Sequence, residues 1–345
     1  MDVRMSPEQE ALRDSAAQIV ARLGPKSVGQ LDDLERKARL DAAVDDSGWR
    51  ELRGGTEQGM PLASGVEPAI IAEELGRGLA DVSFLGSTLA AELRRLAGAP
   101  PRPGETVGLA TDLGSIVHTG ELGSSPMVAV DAHGCDQALF LVPDSDGYRL
   151  ARVELGATRF GLDLTRPSVI VQSPSAPTLV EDSCRLVTAD DVSRWTALGL
   201  ALTCADLVGV MCGAVQLACD YARERTQYGA AIGSFQAVQH MLADSFAVTE
   251  GARSITLHAA WAVDGLPASD ALAAAAAAKA YSARAARDAC EAGIQVHGGV
   301  GNTWECLAHV FLRRALFSSD VCGDASVNLG RVLQHYGIGG GDGFR

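Results

Sequence analysis

Several things are scarce in this chain of 345 residues, and each scarcity excludes a class of protein. No run of about 18 apolar residues free of charge occurs; the nearest, 271–278, is alanine-rich, too short and followed at once by Lys279. The first twenty residues, MDVRMSPEQEALRDSAAQIV, are acidic and amphipathic rather than basic and then apolar, so no signal peptide is expected and a cytoplasmic location is. Basic residues are outnumbered, 29 Lys and Arg against 43 Asp and Glu, giving a net charge of −14. That balance argues against nucleic acid or an anionic membrane as partner. A few local arginines could still hold an anionic ligand. No C-x-x-C pair exists among the eight cysteines (135, 184, 204, 212, 219, 290, 306, 322), so metal-site spacing is missing and reduced, packed thiols are expected.

What is present is an ordinary globular composition, 47% apolar and 21% charged, in three textures. Residues 1–100 read as helical: Ser6 is a candidate N-cap, Pro7 stands at the first helical position, and Gly24-Pro25 is a stop. Further helical stretches follow in LDDLERKARLDAAVDDSGW and PAIIAEELGRGLADVSFLGSTLAAELRRLAG. The proline-rich APPRPGET (99–106) marks a boundary. Residues 101–189 change to short apolar runs between turn residues: TVGLAT, MVAVDA, QALFLVP, YRLARVEL, SVIVQS and CRLVTA. That is the pattern of a small β domain. Residues 190–345 are helical again. Leu198, Leu202, Ala205, Cys212, Val215 and Cys219 recur on one face of a long helix, with further helices from near Ser234, over 269–293, and from Ala325 to Gln334. The fold expected is α+β: an N-terminal helical domain, a middle β domain and a C-terminal four-helix bundle.

Two stretches of the C-terminal part hold more charge, amide and glycine than a helix connection needs. One is RTQYGAAIGSFQAVQHMLAD (225–244). The other is QVHGGVGNTWE (295–305), followed by LRRA (312–315). A guanidinium at a helix end offers forked donors to phosphate oxygens, and paired glycines let a ligand approach backbone that a Cβ would obstruct.

Both stretches, at this separation, resemble the signatures of the acyl-CoA dehydrogenase family. GW-x-EL (48–52), EELGRGLA (73–80) and LDLTRP (162–167) fit as well. The resemblance implies FAD as cofactor, α,β-dehydrogenation of an acyl-CoA thioester, and electron transfer to an electron-transfer flavoprotein. It further implies that Arg225 reaches across a subunit interface to the FAD pyrophosphate. Gln227, Tyr228, Phe235 and Gln236 would line the phosphate and adenosine region, and Gln295, Gly298 and Gly299 would approach the adenine half. His297 reads as a packed histidine as readily as a ligand.

The sequence also departs from the family. Where the family places its catalytic glutamate, this chain has Asp324, or Gly199 at the alternative position on the long helix. Asp324 is the candidate catalytic base, one methylene shorter than glutamate; it and Ser326 equally suit a helix N-cap. Asp206 reads as a plain polar helix residue. The family's Asp-x-x-Arg contact to the substrate nucleotide falls on Ala197 and Leu200, and the Trp-x-Thr/Ser segment over the flavin ring has no clear counterpart. Such losses resemble the short subunits of heteromeric α2β2 acyl-CoA dehydrogenases of actinobacterial sterol side-chain degradation. A longer homologue would then be the partner and supply the base. Alternatives are a self-sufficient homomeric enzyme using Asp324 and a non-catalytic assembly protein.

Overall fold

The computed structural model describes residues 5–56, 58–118, 126–157, 161–172 and 178–338. Its first helix, α1 (Pro7–Leu23), begins as its sequence dictates. The Ser6 side chain accepts from Gln9 N, and the Gln9 side chain returns to Ser6 N at 3.0 Å. This reciprocal cap satisfies two of the donors that a helix start leaves free. Then follow α2 (Leu34–Asp46), capped by Asp33, α3 (Val66–Arg77) and α4 (Leu85–Leu96).

Six strands make one sheet: β1 (Glu105–Ala110), β2 (Met127–Val130), β3 (Gln137–Asp144), β4 (Gly147–Glu154), β5 (Val169–Val171) and β6 (Thr178–Leu179). Their order is β5-β2-β1-β3-β4-β6, with β1 and β3 parallel and the other pairs antiparallel. The strand expected over CRLVTA is a single bridge, Tyr148 to Val187. Its chain turns away at once because Thr188 caps the next helix. Helix α4 lies against β1, so the sheet and the first helices share one core, with Leu89, Leu93, Val107 and Leu139 all buried.

Helix α5 (Ala189–Glu224) spans 36 residues, about 54 Å at 1.5 Å per residue. It is the axis of the molecule. Every residue from 197 to 211 is buried, so the apolar stripe read along one face is in fact one side of a helix enclosed on all sides. Helices α3 and α4 cover it on one side; α6 (Gln236–Gly265), α7 (Ala268–His297) and α8 (Ala308–Asp320) cover it on the other. Each fully buried leucine along it contributes about 1.5–3 kcal/mol. By length and composition α5 could cross a bilayer, but its apolar stretch is packed against protein. Close approach makes this possible: a Cβ at Gly209 would lie 1.9 Å from Glu73 O, and one at Gly76 would lie 2.5 Å from Asp206 O. Glycine at both points lets α3 cross α5 backbone to backbone.

Helix α8 packs on α5 and α7; the sequence expectation, four helices after residue 190, does not include it. A last helix, α9 (Ala325–His335), leans on α7.

Candidate functional site

The stretch after α5 folds into a tight device. Arg225 ends the helix, donating its N–H to Tyr221 O at 2.8 Å. Strand β7 (Thr226–Gln227) then pairs with β8 (Ala230–Ala231). Between them Tyr228 and Gly229 both take positive φ, 54° and 81°. Two left-handed residues make the primed turn that fits strand twist. Tyr228 bears that cost without being glycine, and it is 95% exposed. Its ring meets Phe235 edge-on, centroids 6.4 Å apart. The Ile232 N–H donates to Arg225 O at 2.8 Å and closes the loop. Gly233 hugs α5: a Cβ there would sit 2.9 Å from Ala222 O.

The second stretch ends α7 beside the first. Val296 packs with Ala218 and Ala222 of α5 and with Ile232, and the His297 ring stacks on Tyr221 at 4.6 Å. So residues about 70 apart in sequence meet at one end of the bundle. Gln227, Gln236, Gln295, Gly298 and Gly299 are exposed there. Among the described residues neither the Arg225 guanidinium nor the side-chain amides of Gln227, Gln236 and Gln295 have a hydrogen-bond or ion-pair partner, whereas the neighbouring Arg223 pairs with Asp220 at 2.9 Å. The two glycines differ in their reasons. Gly298 has φ 64° and ψ −143°, a region open in practice to glycine alone. Gly299 has an ordinary φ, and a Cβ on it would meet nothing within 4 Å. Nothing in its own fold requires glycine at 299.

The candidate base is differently employed. Asp324 is exposed and caps α9, its carboxylate accepting from Val327 N at 2.8 Å. Ser326, the other cap candidate, has no such role. The loop before it is clamped. Cys322 N donates to Leu113 O at 2.8 Å, Arg331 Nη1 to Cys322 O at 2.7 Å, and the buried Lys279 Nζ to Val321 O at 2.9 Å. At the alternative position, a Cβ on Gly199 would lie 2.8 Å from Cys322 Sγ, leaving no room for a longer side chain.

A separate cavity of about 780 Å³ opens between the sheet and α8, lined by Thr111, Leu113, Val128, Asp163, Arg166 and Phe317 among others. Neither Asp324 nor Gly199 lines it. Beside it lies the group that sequence reasoning missed. Asp206, read above as a plain polar helix residue, is a buried hub, 3% exposed. It accepts from Arg314 Nε at 2.9 Å and Nη2 at 2.6 Å, and from Ser318 Oγ at 2.6 Å, and Arg166 Nη1 stands 3.3 Å away. Arg166 also pairs with Asp163 at 2.9 Å, and Arg314 Nη1 donates to Ala80 O at 2.8 Å. Burial alone would raise the Asp206 pKa, but the two guanidiniums outweigh it and hold the carboxyl below its usual range. Asp131 nearby shows the reverse: burial pushes it up, and Arg166 only partly compensates. Its Oδ2 accepts from Phe84 N and Gly86 N, while Oδ1 is buried with no partner. A signal for the hub was present, since LDLTRP supplies Arg166 and LRRA supplies Arg314. Their meeting on Asp206 needed the fold. Among the described residues no cluster of His, Cys, Asp and Glu could hold a metal.

The described elements define a helix–sheet–helix chain with a long central helix and an exposed arginine-glycine corner at one end of its bundle. Residues 197–336 match the family model "Acyl-CoA dehydrogenase, C-terminal domain". The acyl-CoA dehydrogenase IpdE2 of Mycobacterium tuberculosis (strain ATCC 25618 / H37Rv) is 32% identical over 319 residues, 89% of this chain and 91% of the relative. The chain belongs to the acyl-CoA dehydrogenase family, oxidoreductases that act on CH–CH bonds. Its fold is similar to that of the Tcur3481-Tcur3483 steroid ACAD G363A variant, with a TM-score of 0.78, 21% identity, and 96% and 98% of the two chains covered. It is also similar to the ChsE4-ChsE5 complex from Mycobacterium tuberculosis, with a TM-score of 0.76, 22% identity, and coverage of 98% and 99%.

Proposed function

We propose that this chain is the partner subunit of a heteromeric, FAD-dependent acyl-CoA dehydrogenase, gripping the dinucleotide end of a cofactor whose reacting end faces a longer homologue. One observation carries the reading: among the described residues, polar side chains without intramolecular partners stand at the same end of the bundle as a glycine, Gly299, that the fold itself does not need. The residues suit FAD. Arg225 supplies charge-assisted donors for the pyrophosphate. Gln227, Gln236 and Gln295 supply amides, and Tyr228 and Phe235 supply ring faces for the adenosine. Gly298 and Gly299 leave the backbone open to close approach. Bound FAD supplies the acceptor for the hydride leaving Cβ of the acyl thioester.

The partner supplies the base in this reading, because Asp324 is engaged as a cap outside the cavity and Gly199 is closed off by Cys322. A steroid side-chain CoA thioester is the substrate class, an α2β2 assembly the form, and an electron-transfer flavoprotein the electron acceptor. Similarity in fold to the Tcur3481-Tcur3483 steroid ACAD variant supports the first, and similarity to the ChsE4-ChsE5 complex supports the second.

The test is co-expression with the longer homologue and measurement of bound flavin and turnover. Arg225→Ala removes a forked contact to phosphate of about 1.5–3 kcal/mol, so FAD affinity should fall roughly 10- to 150-fold. Asp324→Ala should remove about 1 kcal/mol of stability and leave turnover nearly intact. FAD occupancy indifferent to Arg225→Ala, or turnover that collapses in Asp324→Ala with flavin still bound, would refute this assignment. A self-sufficient enzyme is the second reading. The 780 Å³ cavity favours it, since it has the size of a ligand site within this chain. Purified alone, the chain would then bleach FAD on addition of an acyl-CoA.

A further inference from the structure

Another cavity, of about 550 Å³, lies where the N-terminal helices meet the bundle. Its walls are the segment after α1, the end of α3, the second half of α5, the middle of α6 and the start of α8. Gly213 draws these elements together, because a Cβ there would lie 2.3 Å from Arg77 O and 2.5 Å from Phe311 Cε1. The floor is apolar: Leu79, Val215 and Phe311 are buried, and Leu217 and Leu307 are half-buried beside them. Phe246 stands at the edge, 59% exposed. The volume is that of a small-molecule site, and the junction of two domains is where such sites are common. No residue assigned above to FAD lines this crevice, and it shares no lining residue with the 780 Å³ cavity.

Five charged side chains line it: Lys26, Arg77, Asp220, Glu250 and Arg253. Three of them are already engaged. Arg253 donates from Nε to Glu73 at 3.0 Å, from Nη1 to Glu250, and from Nη2 to Cys212 Sγ at 2.8 Å. Asp220 accepts from Gln216 Nε2 at 2.9 Å and from Arg223 Nη1 at 2.9 Å. The other two cations are not so placed. Among the described residues Lys26 Nζ has no partner. Arg77 makes no hydrogen bond there either, its nearest carboxylates, Glu73 and Glu74, standing 3.5 Å and 3.6 Å away. Burial holds the Lys26 pKa below its ordinary value, and no carboxylate opposes the shift. The unmet polar groups of the crevice are therefore donors, and both are positive.

We propose that this crevice binds an apolar carboxylic acid, its chain on Leu79, Val215 and Phe311 and its carboxylate between Lys26 and Arg77 at the mouth. An alcohol of the same length satisfies the floor but brings no charge to the two cations. A short carboxylate satisfies the cations but leaves the floor wet. Only a molecule with both parts uses the whole site, through area removed from water and charge-assisted hydrogen bonds.

The experiment is calorimetric titration of the full chain with decanoate, decan-1-ol and butyrate. Decanoate should bind at one site per chain, and decan-1-ol about tenfold more weakly for want of the charged contact. Each methylene removed from the acid should weaken binding about fourfold, so butyrate should show no measurable heat of binding. Lys26→Gln should weaken decanoate about tenfold and leave decan-1-ol unchanged, while Lys26→Arg should restore the preference for the acid. Arg284→Gln removes an exposed cation that does not line the crevice, and should change neither. No saturable binding of decanoate, or binding equally tight for the alcohol and indifferent to Lys26→Gln, would overturn the proposal. So would binding that the free chain shows and the chain loses on assembly with its longer homologue, which would assign the crevice to a subunit interface.

Discussion

Replacing Asp206 by alanine should be among the most damaging single changes in this chain, and the structure sets the size of the effect. The carboxylate accepts two hydrogen bonds from Arg314 and one from Ser318, and it faces Arg166 at 3.3 Å. Without it Arg166 retains Asp163, but Arg314 is left with only Ala80 O and the Thr165 hydroxyl at 3.1 Å as neutral acceptors. A guanidinium buried without a counter-charge costs about 3–5 kcal/mol, a large part of the 5–15 kcal/mol typical of a folded protein. Urea unfolding followed by circular dichroism and tryptophan fluorescence measures it, two probes guarding against stepwise unfolding. With m of about 2–3 kcal/mol per molar, the midpoint should fall by about 1–2.5 M. Asp220→Ala is the control: it lies on the same helix, half-exposed, and its pair with Arg223 is worth no more than about 1 kcal/mol. If Asp206→Ala shifts the midpoint no further than Asp220→Ala does, the hub is not what joins α5, α8 and the sheet.

Asp131 should respond to pH with the opposite sign to Asp206. A carboxyl whose folded pKa is raised binds protons more readily in the fold, so stability is lost as pH rises from the unfolded value near 3.9 through the folded one. Asp131→Asn keeps an acceptor for Phe84 N and Gly86 N, and should raise the urea midpoint at pH 7 while changing it little near pH 4; a fall at pH 7 would show that Arg166 more than offsets the burial. For Asp206, whose folded pKa is depressed, the stability it contributes is present above the unfolded value and lost as pH falls through the folded one. Gly209→Ala should destabilise by about 3 kcal/mol or more in thermal unfolding, because its methyl would enter the Glu73 carbonyl. Gly299→Ala should unfold like wild type yet bind FAD more weakly in the assembled enzyme; unchanged FAD affinity would remove Gly299 from the site.

Much of the architecture is legible in the chain itself. Ser6-Pro7 and Gly24 delimit a helix through local chemistry, and the β texture between the prolines at 100–103 and α5 follows from short apolar runs set between turn residues, both short-range signals. The arginine, glutamines and glycines of the two motifs are legible because an unusual cluster of side chains stands out wherever it lies. Helix α8 is not: its first residues, after Trp304-Glu305-Cys306, carry no cap, and its arginines stand out as a motif rather than as part of a helix. The enclosure of α5 is hidden as well, because a helix buried on every side shows no more periodicity than its neighbours impose. Asp206 is the sharpest case. Its position on α5 is set by sequence, but its charge partners are Arg166 and Arg314, distant in the chain, and which charges meet in low dielectric depends on packing. Local propensity determined the elements and exposed the motifs. The buried charges were decided by tertiary contact, where desolvation makes the choice of partner a matter of several kcal/mol.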